Sequence, residues 1–332
     1  MNTVFNMAQF ADQFTSLETD EPLYVDIGGQ DPLAVKVKPS TTKNKQTLVV
    51  LFHGALGRSK GAQVPSFLNF RRAILDSAHQ ISIADPGVEV ENRVGVGWFA
   101  GSEANPAQLL LPTFFKTLQD ALNIERVIFV GSSGGGFGAL YYSWNLPGSV
   151  ACASVPQTNA WEYNESSRRF YIEDCWPDGL PDGPESPILD LRELYSKSVP
   201  NTVVYIQSNQ DHRHFARHMI PFLEALKPED REKIALKVSF WGRPGHSGAV
   251  PPGELDGWIK AAISAPETTA ESIDAQYQRS GIENTPLSET MVRASGAQRS
   301  TRLSSKPENR VRETDYQDRI WAKMIVEEQE NS

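Results

Sequence analysis

The chain predicts an α/β fold, a mostly parallel twisted sheet with helices on both faces. Three observations carry this. Continuous apolar runs such as Thr47-Leu48-Val49-Val50-Leu51-Phe52 recur, and such runs suit parallel strands buried on both faces. Other segments place apolar residues at helical spacing. The two kinds of segment alternate along most of the chain, as in a parallel sheet with crossover helices.

The elements follow in order. Residues 33–38 (Leu33-Ala34-Val35-Lys36-Val37-Lys38) alternate with the period of a half-exposed strand, which predicts an antiparallel edge strand. Buried strands are expected at 47–52, 81–84, 126–130 and 202–206, and a last one at 236–240. Residues 107–122 carry Leu110, Leu111, Phe114, Phe115, Leu118 and Leu122 on one helical face. Residues 215–226 repeat the pattern with Phe215, Met219, Phe222, Leu223 and Leu226. Residues 160–195 break the rhythm with Pro, Asp and aromatic residues, and read as a cap-like insertion over the carboxyl edge of the sheet or as a surface excursion. The main domain is expected over 1–265. From 266 to 332 the composition turns polar, which predicts a partly flexible extension with one short amphipathic helix at 317–328.

Composition bounds the partners. The chain has 332 residues, 39% of them hydrophobic, enough for one large core. The net charge of −9 disfavours nucleic acid, whose phosphates need a basic surface, and otherwise serves solubility. The start of the chain lacks a basic, apolar leader, and no run reaches the roughly 18 apolar residues of a spanning helix. A soluble, cytoplasmic protein is the expectation. The two cysteines, Cys152 and Cys175, form no disulfide framework or zinc pattern.

The chemistry concentrates at Gly131-Ser132-Ser133-Gly134-Gly135, directly after the strand at 126–130 and before a small-residue helix. This is G-x-S-x-G in a strand–turn–helix setting. The turn is so tight that residues two either side of the central serine must be small, and Gly131 and Gly135 meet that need. Ser133 is then presented at a helix N-terminus, where the N–H groups and dipole favour negative charge. Without chemistry, the same pattern would be a glycine-rich turn. Ser132 is out of register and would support the loop.

Phe52-His53-Gly54-Ala55, the elbow at 131–135 and the late Gly245-His246 together resemble the α/β-hydrolase superfamily, over roughly residues 20–265. The same pattern also resembles a poorly characterised bacterial group. The resemblance implies a sheet of about eight strands. It also implies that the His53-Gly54 loop completes an oxyanion hole, and that the order of the triad is Ser, acid, His.

His246 lies in Gly242-Arg243-Pro244-Gly245-His246-Ser247-Gly248, a loop able to bring an imidazole over the elbow, and is expected to be the general base and acid. Asp211, after the strand at 202–206, is the expected acid that orients it; alternatively it is the N-cap of the helix at 215–226. Pro156-Gln157-Thr158-Asn159 offers no carboxylate, and Glu162 is the nearest rival. Gly134 and Ala55 are expected to supply the oxyanion N–H groups, with Leu56 as a substitute for Ala55. Trp98, Phe99 and Trp161, with Tyr163, are candidate walls of the substrate site. His214 and His218 stand at a spacing that can bind zinc, but no H-E-x-x-H surrounds them, and polar surface or, for Arg213 or His214, substrate contact is the alternative; His212 is a further candidate.

These residues predict a serine hydrolase acting on an ester or related acyl bond, with no cofactor and no metal. An acyltransferase using the same triad, or an inactive α/β-hydrolase-like binding or assembly protein, are the alternatives. The expected partner is a small-molecule or glycan ester, with a homo-oligomer or partner contact through the polar extension.

Overall fold

Alternate residues of the central strands feed two cores, one on each face of a single sheet. In β4 (Thr47–Phe52), Leu48, Val50 and Phe52 face one core while Val49 and Leu51 face the other. The same division holds in β6 (Arg126–Ser132), with Phe129 opposite Ile128, and in β8 (Thr202–Ser208), with Tyr205 opposite Val204. Strands buried on both sides in this way need apolar residues at every position, which is why they read as continuous runs. The computed structural model describes residues 3–17, 19–42, 46–58, 61–242 and 250–280.

Nine strands are present among the described residues, in the order β1-β2-β3-β5-β4-β6-β7-β8-β9. The flanking strands are β1 (Val4–Asn6), β2 (Leu23–Asp26) and β3 (Leu33–Lys38); β5 is His79–Ile83, β7 is Val150–Ser154 and β9 is Ile234–Ser239. Only the β2–β3 and β3–β5 pairings are antiparallel. With β1 set aside as an added edge strand, this is the order and sense of the α/β-hydrolase fold. The strand at 33–38 is antiparallel as expected but is not an edge, because β2 covers it and β1 covers β2.

Helices α1 (Met7–Gln13), α2 (Pro86–Glu89), α3 (Ala107–Ala121) and α4 (Gly134–Trp144) precede the excursion between β7 and β8. That excursion contains α5 (Glu165–Cys175) and α6 (Arg192–Tyr195). Its stem is closed where Asn159 bridges Asp190, Ala160 N–H donates to Leu189 O at 2.7 Å and Leu191 N–H donates to Thr158 O at 2.9 Å. After β8 the chain runs through α7 (His212–His214), a π-helical turn (Phe215–Met219) and α8 (Ile220–Glu224).

The last two helices move the domain boundary. α9 (Pro252–Ser264) packs on the second core, and its C-terminal carbonyls are collected by Arg126, whose guanidinium donates to Ala262 O, Ile263 O and Ala265 O at 2.7, 2.7 and 3.0 Å. A cation at that end also suits the helix dipole. α10 (Ala270–Arg279) then packs on α9 with Ile273 and Tyr277 buried. The extension expected from residue 266 is therefore part of the domain through residue 280. The short helix expected at 317–328 lies outside the described residues.

Candidate active site

Ser133 has φ 55° and ψ −120°, a conformation that side-chain-bearing residues rarely adopt. Three backbone bonds hold it there. Ser133 N–H donates to Ser154 O at 3.1 Å, and Ser133 O accepts from Gln157 N–H at 3.0 Å and Phe137 N–H at 3.3 Å. Two of the three involve Ser154 at the end of β7 and Gln157 just beyond it, so that segment braces the strained turn. The glycines work by their lack of Cβ: one on Gly131 would lie 2.0 Å from Gly135 O, and one on Gly135 would lie 2.4 Å from Phe52 O.

The His53-Gly54 loop packs directly on this turn. A Cβ on Gly54 would stand 3.2 Å from Ser132 O and 3.8 Å from Ser133 Cβ. A Cβ on Gly134 would stand 4.0 Å from Ala55 N, so the two segments lie close together. Leu56 N–H, the expected substitute for Ala55, donates to Gly95 O at 2.7 Å.

His53 is a clip within this loop. Its Nδ1 lies 2.7 Å from Gly54 O, and its Nε2 accepts from Asp85 N–H at 3.3 Å, which assigns the proton to Nδ1. Asp85, just after β5, is buried, and burial pushes its carboxyl upward against the opposing pull of His53 and three backbone amides. Those amides are Gly87 and Gly97 N–H at 3.0 Å and Phe99 N–H at 3.2 Å. They hold Trp98 and Phe99, both at positive φ, in a tight turn beside the elbow.

This turn corrects one expectation. Phe99 is a core residue, packed at 4.7 Å from the Phe52 ring and 5.2 Å from the His53 ring, and is not placed as a wall of an open site. Trp98 is equally buried. Its ring edge meets Tyr163 and Tyr171, and its indole N–H donates to Gln157 Oε1. Trp161 is 42% exposed at the stem of the excursion. Arg213 lies over the Tyr163 ring at 5.7 Å, while Glu162 is half-exposed and 3.8 Å from Arg217.

Asp211 is fully buried three residues after β8. It caps α7, with Oδ1 accepting from His214 N–H at 3.2 Å, and Oδ2 lies 2.9 Å from His214 Nδ1. The capping alternative is thus realised, in a carboxylate that also faces an imidazole. His214 and His218 pack with ring centroids 4.9 Å apart. Burial, with repulsion from His214 and Arg213, pushes His218 down to about 3. It is neutral, its Nδ1 accepting from Thr158 N–H at 3.3 Å. His212 is exposed. Among the described residues no group of three or more His, Cys, Asp or Glu is placed to hold a metal ion. His246 lies outside the described residues.

One residue escaped sequence reasoning. Gln157, fully buried, donates from Nε2 to Ser133 Oγ at 3.1 Å. No motif marks it, and the segment 156–159 draws notice only for lacking a carboxylate.

No known family profile matches the chain, and no curated protein matches it. Solved structures do. The capsule O-acetyltransferase of Neisseria meningitidis serogroup A is 16% identical, covering 76% of this chain and 98% of that one, with a TM-score of 0.48. LpqC, a poly(3-hydroxybutyrate) depolymerase from Bordetella parapertussis, is 15% identical over 82% and 98% of the two chains, with a TM-score of 0.46. Proline iminopeptidase of Mycobacterium smegmatis is 13% identical over 78% and 100%, with a TM-score of 0.42.

Proposed function

We propose that this chain is a serine-dependent acyl-transfer enzyme, acting on an ester of a small molecule or glycan with water as its default acceptor. The observation that carries the reading is Ser133, held at φ 55° at the N-terminus of α4 with the Gly54 backbone packed close to it. Strain of this kind costs on the order of 1–3 kcal/mol and is retained where it aims a reacting group.

Ser133 Oγ attacks the ester carbonyl carbon while His246, which follows β9 in the sequence, takes its proton. The carbonyl oxygen becomes an oxyanion and accepts from Ala55 and Gly134 N–H. Collapse expels the alcohol, which leaves with the proton from His246, and the acyl group stays on Oγ. Water repeats the sequence: His246 takes its proton, its oxygen attacks the acyl carbon, and Oγ leaves reprotonated. Asp211 orients the imidazole and stabilises its charged form. An acceptor hydroxyl in place of water would complete the same cycle as transfer.

The test is labelling by a fluorophosphonate, which reacts with activated serines. Wild type is expected to label at Ser133, and Ser133→Ala is expected to be inert. Equal labelling of the two proteins, or none of either, sinks the reading. A panel of acyl chain lengths and acetylated sugars, with and without added acceptor, then separates hydrolysis from transfer.

A further inference from the structure

The chain turns back over the elbow immediately after β7. Val155 sits at φ 38°, with its N–H donated to Ile206 O at 2.7 Å, and this sharp turn brings Pro156 and Gln157 down onto α4. Gly136 admits them: a Cβ there would stand 2.7 Å from the Pro156 ring. Gln157 then touches Ser133 twice, by backbone N–H to its carbonyl and by side-chain Nε2 to its hydroxyl.

The direction of that amide is dictated by its other partner. The Trp98 indole can only donate, so Gln157 Oε1 must face it, and Nε2 must face Ser133. Trp98 is confined by burial and by edge contacts with Tyr163 and Tyr171, and its two neighbours' amides, bound to Asp85, fix the backbone that carries it. A buried glutamine that would otherwise be free to flip is therefore locked with its donor on the nucleophile.

We propose that Gln157 is a catalytic residue: its amide, oriented by Trp98, donates to Ser133 Oγ and stabilises the negative charge that this oxygen carries as it loses its proton and as it leaves. The inference rests on the reading of Ser133 as nucleophile. A hydrogen bond to a charged oxygen is roughly twice as strong as one to a neutral hydroxyl, so the donor favours the transition state over the resting enzyme. It also occupies an Oγ lone pair, which turns the hydroxyl hydrogen away from Gln157. Only ordinary proton movement is involved, from Oγ to the base and back, and Gln157 itself keeps its protons.

The experiment measures the second-order rate of fluorophosphonate labelling from pH 5 to 9 for wild type, Gln157→Leu, Gln157→Glu and Trp98→Phe, with thermal melts on each. Gln157→Leu is expected to label roughly 10- to 100-fold more slowly, the worth of one hydrogen bond to a charged oxygen. Gln157→Glu should approach wild type at acid pH, where its carboxyl donates to Oγ as the amide does. It should fall away as the carboxylate forms and draws the hydroxyl hydrogen inward. That falling limb is what a merely structural role would not produce. Trp98→Phe leaves Gln157 in place with its direction released, and is expected to slow labelling less than Gln157→Leu. Wild-type rates in Gln157→Leu, or equal slowing of the Leu and Glu variants at every pH, overturn the proposal while leaving Ser133 as nucleophile. Should Gln157→Leu not fold, the pH limb of Gln157→Glu and the slowing in Trp98→Phe decide, and the absence of both overturns it. Wild type that does not label at Ser133 overturns the underlying reading instead.

Discussion

Trp258 and Tyr277 lie ring on ring, with centroids 4.0 Å apart and planes within 4°, and Glu254 Oε1 accepts from both, at 3.1 Å from Trp258 Nε1 and 2.6 Å from Tyr277 Oη. The stack fastens α10 to α9. Tyr277→Ala is expected to cost about 3–5 kcal/mol, as for other buried aromatics, and Tyr277→Phe about 1 kcal/mol for the lost hydrogen bond. Urea unfolding measures both. A chain ended after residue 265 should lose comparable stability, and unchanged melting of that truncation would refute the docked helix.

Asp85→Asn replaces one acceptor oxygen by a donor against the amides of residues 87, 97 and 99. Hydrogen bonds to a charged group are worth about 1.5–3 kcal/mol, so a loss of at least 2 kcal/mol is expected. Released backbone at Trp98 and Phe99 should also slow labelling of Ser133. A melt and a labelling rate both equal to wild type would remove Asp85 from this account.

Asp211 combines a helix cap with a proposed catalytic acid, and one substitution separates them. Asparagine caps helices as well as aspartate does. Asp211→Asn should therefore keep the melting temperature within a few degrees and lower esterase kcat by more than about 100-fold. Asp211→Ala should lose the activity and a further ~1 kcal/mol of stability. Activity retained in Asp211→Asn would reduce the residue to its capping role.

His218 makes folding stability depend on pH. Its folded value is about 3, below the usual histidine range, because burial disfavours the cation. Unfolded, it binds a proton below about 6.5. The unfolded state then holds more protons, so the stabilisation is complete above that value and is lost as pH falls toward 3, by at most about 1.4 kcal/mol per pH unit. His218→Gln should flatten the decline in unfolding free energy between pH 6 and 4. A slope identical to wild type would mean that other groups set it.

Legibility followed the physics of each position. Gly131, Ser133 and Gly135 can be read because a strand-to-helix turn excludes Cβ atoms at fixed offsets, and steric demands of that kind survive in sequence. Doubly buried strands such as β4 and β6 can be read for a similar reason. β1 and β2 are three and four residues long, too short for a period to emerge. α10 hides because only Ala270, Ile273 and Tyr277 of its ten residues are buried, a narrow stripe in a polar helix. Phe99 looks like a wall residue because aromatic residues beside glycines suit a pocket. Its burial depends on Asp85, fourteen positions away, holding its amide at positive φ. Gln157 is invisible for the same reason: its partner Trp98 is 59 residues distant.

Asp85, Trp98 and Gln157 reach Ser133 Oγ one behind another, so they act in series on a single atom. Damage to such a chain saturates. Once one link is cut, cutting the next removes little more, because the orientation both links served is already gone. The Asp85→Asn, Gln157→Leu double variant should therefore lose much less labelling rate than the product of the two single losses. Substitutions here are not independent trials, and a change at any link alters what the others are worth.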